Sequence, residues 1–137
     1  MLRSQDDARA RSTATLRPDE WRLLVTSRPN VLLEGSDEIT DAIVAEALHW
    51  LPKPQGEWTE GPPRLRPQTL IVRAVSSLDA GEQQRLLDWM VSPGHQVQVV
   101  STTRKPIYQM VISGTFLIDL YYRLNVLLLN GARTQPS

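Results

Sequence analysis

The residues of this 137-residue chain that could do chemistry are few, and what is missing excludes more than what is present suggests. There is no cysteine, which removes disulfides, thiolate nucleophiles and cysteine-ligated zinc. The only imidazoles are His49 and His95. They sit in unrelated segments without a neighbour suited to general-base work, so neither a metal site nor a bound cofactor is expected. No G-x-S-x-G elbow occurs, and no pair of carboxylates is set in an apolar stretch. Lys plus Arg equals Asp plus Glu at 15 each, which lacks the basic excess of a general nucleic-acid binder. Arg104-Lys105 is only a small basic spot. Two charged features are left: Asp37, Glu38 and Asp41 at the start of one predicted helix, and Arg123 in the last turn of another.

Hydrophobic patterning supplies the elements that would position them. Residues 1–17 are polar, alternate in charge and read as a flexible N-terminal arm, with a partner-docking helix as the alternative. They lack the apolar core of a secretory signal, and no apolar run in the chain approaches the roughly 20 residues of a membrane span; the cytoplasm is the expected compartment. Pro18, Asp19 and Glu20 open a short helix through Ser27. Val31-Leu32-Leu33 reads as a buried strand turning at Gly35. From Asp37 to Leu51, Ile39, Ile43, Ala47 and Trp50 recur with helical spacing. Residues 52–67 hold five prolines and two glycines and read as a loop, with Trp58 as its buried anchor. Thr69–Val72 is a second strand. Asp79 and Glu82 form a capping box for a helix that buries Leu86, Leu87 and Met90 and stops at Pro93-Gly94. Val97, Val99 and Val100 give a third strand, and a loop or short helix covers 106–113. A helix from Thr115 to Leu124 carries Phe116, Leu120 and Leu124, and Val126–Leu129 is a fourth strand. Such alternation predicts a three-layer α/β sandwich around a parallel sheet of about four strands, spanning 18–130 and followed by a tail over 131–137.

The run Ser113-Gly114-Thr115-Phe116-Leu117-Ile118-Asp119-Leu120-Tyr121-Tyr122-Arg123-Leu124-Asn125-Val126 resembles the segment G-x-F-R-x-D-L-Y-Y-R-L-N-V of sigma-54-dependent activators. These are AAA+ ATPases that remodel the bacterial sigma-54 RNA polymerase. Other landmarks fall in the family's order. Val31 to Gly35 resembles the strand entering its phosphate loop, and Ala47-Leu48-His49 the end of the next helix. Gln84 with Leu86-Leu87 resembles its Q-x-x-L-L helix, and Val97 to Thr103 the strand ending in the polar sensor residue. The resemblance implies a P-loop-like AAA+ core whose last strand lies beside the first, followed by the third and then the second.

The same resemblance exposes the departures. A phosphate loop reads G-x-x-x-x-G-K-[ST], where backbone N–H groups wrap the phosphates, lysine neutralises them and the hydroxyl binds magnesium. The matching stretch keeps Gly35 but has Thr40 for the second glycine, Asp41 for the lysine and Ala42 for the hydroxyl residue. Asp37, Glu38 and Asp41 put carboxylates where phosphate would sit, and serve instead as ordinary caps of a structural helix. Where the family's acidic Asp-Glu pair follows its second strand, the chain has Arg73-Ala74, which leaves neither magnesium ligand nor water-polarising group. Thr103 stands at the sensor position. The proline-rich segment is too short for the G-A-F-T-G-A loop, and the sequence ends before a helical lid. A chain without ATPase activity is expected, acting as a protein-interaction or regulatory module with a protein partner, for instance an AAA+ activator. Direct nucleic-acid binding is not expected, and monomer or dimer is expected over hexamer. Residual nucleotide binding or slow hydrolysis, and a purely structural domain of a larger assembly, are the alternatives. Of the family's two arginines that act in a neighbouring subunit's site, the first is Leu117 here and the second matches Arg123. The residue itself leaves two roles open, a partner contact or a cation meeting the carbonyl end of its helix, with Asn125 as a C-terminal cap.

Overall fold

The computed structural model describes residues 16–92 and 96–130. Most of the N-terminal arm, the Pro93-Gly94 stop, His95 and the C-terminal tail therefore lie outside the described residues. The strands are β1 (Val31–Glu34), β2 (Gln55–Glu57), β3 (Thr69–Val72), β4 (Gln98–Thr103) and β5 (Leu127–Asn130). The helices are α1 (Pro18–Arg22), which runs on into a π-turn over Leu23–Ser27, α2 (Asp37–Ala47), α3 (Ala80–Val91), α4 (Ile107–Ser113) and α5 (Ile118–Leu124). The sheet is parallel throughout, in the order β2-β3-β4-β1-β5.

Why the strands are apolar at consecutive positions follows from the two cores they serve. Successive side chains of a strand point to opposite faces. Val31 and Leu33 enter one core with Ile43, Val44 and Ala47 of α2, Ile71, Val100 and Leu129. Leu32 enters the other with Leu70, Val72, Val99, Leu86 of α3, Ile107 of α4, and Leu120 and Leu124 of α5. Each such leucine is worth about 1.5–3 kcal/mol when fully buried. The sandwich architecture and the order of the four anticipated strands match the expectation.

Five strands rather than four make the sheet, because the proline-rich segment is not wholly a loop. Gln55-Gly56-Glu57 pairs in parallel with Thr69-Leu70-Ile71. An edge strand needs partners on one side only, and these three residues open the proline-free run between Pro54 and Pro62. A Cβ on Gly56 would stand 2.7 Å from Pro63 Cγ, so only glycine lets the loop fold back over its own strand. Trp58 is buried as anticipated. Its backbone N–H donates to Ile71 O at 2.9 Å, and its ring meets Trp89 edge-on at 6.2 Å.

Two helix boundaries differ from the sequence pattern. α2 ends at Ala47 rather than near Leu51. The chain turns there, and Gln55 Nε2 donates to Leu48 O and Leu51 O. Leu51 takes the core place while Trp50 stays exposed with its Nε1 on Glu46 Oε2. α5 starts at Ile118 rather than Thr115, since Gly114 ends α4 in a left-handed conformation (φ 83°). The Asp79–Glu82 capping box of α3 is present in both directions, at 2.8 and 3.0 Å.

The glutamine that matters in the Q-x-x-L-L stretch is Gln83, not Gln84. Gln84 is exposed and pairs with Asp88. Buried Gln83 donates through Nε2 to Leu78 O and Thr115 O and accepts at Oε1 from Leu117 N. It thereby stitches α3 to the α4–α5 turn. Gln83→Ala leaves those backbone groups without partners and is expected to cost about 2 kcal/mol, read as a lower urea midpoint at unchanged m-value.

Candidate functional site

Ligands of open parallel sheets bind beyond the carboxyl ends of the strands, which here are Glu34, Val72 and Thr103. Gly35 leaves β1 with φ 158°, a conformation that side-chain-bearing residues rarely adopt, and its N–H donates to Thr103 O at 3.0 Å. The cap of α2 is Ser36, whose hydroxyl accepts from Ile39 N at 3.3 Å. Asp37 and Glu38 follow in the first turn, where they complement the positive helix end rather than cap it. Thr40 is buried, with Oγ1 donating to Ser36 O at 3.1 Å. Ala42 faces outward, exposed.

Asp41 and Arg73 meet. Arg73 Nη1 donates to Asp41 Oδ1 at 2.8 Å, and its Nε donates to Glu57 Oε2 at 3.1 Å. One guanidinium thus ties the second turn of α2 to the end of β3 and to edge strand β2. Arg104 is engaged likewise, with Nη2 at 3.0 Å from Asp37 Oδ2. The Arg104-Lys105 spot is therefore half neutralised by the helix start. Neither Glu57 nor the Asp37–Arg104 pair was legible in sequence, because the partners stand 16 and 67 residues apart.

Ala74 occupies the left-handed region (φ 52°, ψ 52°), and its N–H donates to Thr102 Oγ1 at 2.9 Å. That turn sends the chain away from the strand end. Thr103 is buried, its hydroxyl closing a small loop by donating to Lys105 O and accepting from Lys105 N. Glu34, half-buried beside Gly35, has its carboxyl pushed above its ordinary pKa by burial. The donor set at this end does not fit a magnesium triphosphate. Carboxylates stand at the helix start, and Arg73 and Arg104 are held by carboxylates of the chain itself.

Arg123 lies at the other end of the sheet, about 13 Å of strand away at the usual rise per residue. Its backbone O accepts from Asn30 Nδ2 at 2.8 Å, just ahead of β1. The side chain is exposed in the last turn of α5, and Asn125 follows as the C-terminal cap residue. Tyr121 is half-buried and its OH accepts from Asn125 Nδ2 at 3.0 Å, whereas Tyr122 is exposed rather than packed in the core. The fold does not bring Arg123 to Asp41 and Arg73.

Comparisons with known proteins agree with the fold. A family model described as the sigma-54 interaction domain matches residues 26–130. Among solved structures, NtrX from Brucella abortus in complex with ATP is similar at TM-score 0.62 and 17% identity, over 94% of this chain and 40% of that one. Another structure of NtrX from Brucella abortus is similar at TM-score 0.59 and 17% identity, over 82% and 35%. The P-loop NTPase domain of the sigma-54 transport activator from E. coli is similar at TM-score 0.55 and 16% identity, over 84% and 96%. The chain thus spans 40% or less of the NtrX chains it resembles. No curated protein sequence matches it. The chain belongs to the sigma-54 interaction domain family.

Arg73 and its carboxylates are partly exposed, so their network contributes little, of the order of 1 kcal/mol. Arg73→Ala is expected to lower stability by about that much, with the loss shrinking in 1 M salt, as read by chemical denaturation at two ionic strengths. Glu34 carries a pH signature. Its folded carboxyl resists the ionisation that the unfolded chain accepts, so stability falls as pH rises from the ordinary carboxylate range through the raised value, and the deficit persists above it. Glu34→Gln removes that penalty. The variant is expected to melt higher than the parent at pH 7, with the gap closing below the ordinary carboxylate range.

Proposed function

We propose that this member of the sigma-54 interaction domain family acts as a catalytically silent protein-interaction or regulatory module of transcription control, rather than as an ATPase. The observation that carries the reading is the 2.8 Å contact between Asp41 and Arg73. Phosphoryl transfer at such a site needs a cation at the helix start and an acid at the strand end that holds the metal. Here the two charges are exchanged between those positions and satisfy each other, with Glu57 as a second acceptor. A phosphate entering there meets Asp37, Glu38 and Asp41, and a magnesium ion meets a guanidinium.

The inherited surfaces remain for protein contacts. Arg123 is exposed, with no ion pair among the described residues, and Ile118, Tyr122 and Val126 around it are exposed apolar side chains. An AAA+ activator subunit is the partner that this segment suits, in the cytoplasm, with the chain itself a monomer or dimer. The exposed Leu128 on edge strand β5 favours a second reading, in which the chain is a structural piece of a larger assembly.

The test is a magnesium-ATP titration of the whole chain, followed through the amide resonances of residues 35–42, together with a phosphate-release assay. The expected outcome is no saturable shift at those amides up to millimolar nucleotide and no release above a buffer control. Micromolar binding at residues 35–42 with turnover abolished by Arg73→Ala overturns the reading. Loss of a captured activator subunit in Arg123→Ala, with folding intact, separates the regulatory module from the structural piece.

A further inference from the structure

The amino ends of the strands, opposite Asp41 and Arg73, border an open cleft of about 590 Å³. Arg28, Asn30, Trp89, Gln96, Gln98 and Arg123 are among its walls, and no carboxylate residue lines it among the described residues. The chain as a whole is neutral, so two arginines without an acid are a local excess. Arg17, Arg73 and Arg104 each hold a carboxylate. The guanidinium groups of Arg28 and Arg123 hold none and make no side-chain hydrogen bond among the described residues. Arg123 also lines a second depression together with Asp88 and Asp119, and neither acid forms an ion pair with it among the described residues.

The cleft is also built, not merely charged. Asn30 donates to Arg123 O and accepts from Val99 N, both at 2.8 Å, so one side chain ties the end of α5 to the heads of β1 and β4. Buried Gln98 donates to Leu24 O at 3.0 Å and Pro29 O at 2.8 Å, while its Oε1 meets no donor among the described residues. Buried acceptors are nearly always met. Arg28 is held left-handed (φ 52°, ψ 49°), where glycine would be free of strain, yet the position carries a long cation.

We propose that this cleft binds a small phosphorylated anion, with Arg28 and Arg123 taking the phosphoryl oxygens and Trp89 walling the remainder. The planar guanidinium fork matches phosphate oxygens in pairs, and the volume lies within the roughly 300–1,000 Å³ of small-molecule sites. The inference goes beyond the reading above, since it needs neither the presence nor the loss of ATP turnover.

Inorganic pyrophosphate without magnesium is the probe, titrated into the whole chain by calorimetry and by amide spectra at low salt. Saturable binding is expected, with shifts at residues 28, 30, 98 and 123 and none at 35–42. Arg28→Gly suits the left-handed backbone and so keeps the fold. It and Arg123→Gln are each expected to weaken binding by roughly tenfold or more, while Arg64→Gln, outside the cleft, leaves it unchanged. Citrate is expected to bind more weakly than pyrophosphate. Absence of saturation by about 20 mM, equal weakening by Arg64→Gln, or citrate binding as well as pyrophosphate overturns the proposal.

Discussion

Burial of one parallel sheet on both faces is the constraint from which the rest of this molecule follows. A strand that must fill two cores cannot alternate polar and apolar residues, which is why Val31-Leu32-Leu33 and Thr69-Leu70-Ile71-Val72 are buried throughout. Parallel strands must also be joined by crossovers, which here are helices and the loop between β2 and β3, and all the carboxyl ends fall on one side. The α/β layering, the position of the helix starts and the existence of two chemically distinct sheet ends are consequences of that single arrangement. Charged groups have little part in it. A few buried leucines at about 1.5–3 kcal/mol each outweigh the exposed ion pairs, each worth about 1 kcal/mol or less.

That imbalance lets the carboxyl end change its chemistry without changing the fold. The helix start, the turn at Gly35 and the strand end at Val72 keep their places because the cores hold them. The residues displayed there are free to vary. Asp41 and Arg73 form a pair of opposite polarity to the one a phosphate loop uses, and Glu57 on the short edge strand completes it. Arg104 on Asp37 does the same for the neighbouring turn. The outcome is a strand end where cations and carboxylates of the chain face each other.

At the amino end the balance is the reverse. Arg28 and Arg123 project without acidic partners among the described residues, over a wall of amide side chains organised by Asn30 and Gln98. The two ends of one sheet thus differ in whether their cations are spent internally. Gln83 has the equivalent organising role on the helical side, where one buried amide holds three backbone groups of two different turns.

What the sequence determined by itself was local or repetitive. Strand and helix positions could be read because burial imposes a period, and the capping box at Asp79–Glu82 because its partners are three residues apart. The C-terminal segment around Arg123 could be read because a long motif resembles a family. The sequence also contained the substitutions at Gly35 to Ala42 and at Arg73-Ala74, which lie in the chain whatever its fold. Only the tertiary structure decided what those residues do. That Arg73 closes on Asp41 and Glu57, that the proline-rich segment supplies an edge strand, that Gln83 is buried while Gln84 is not, and that Arg28 shares a cleft with Arg123 are contacts across many residues. Side-chain chemistry permits such contacts with any partner of the right charge or donor type. Which partner is met depends on how the strands are ordered and registered, and no local pattern encodes that.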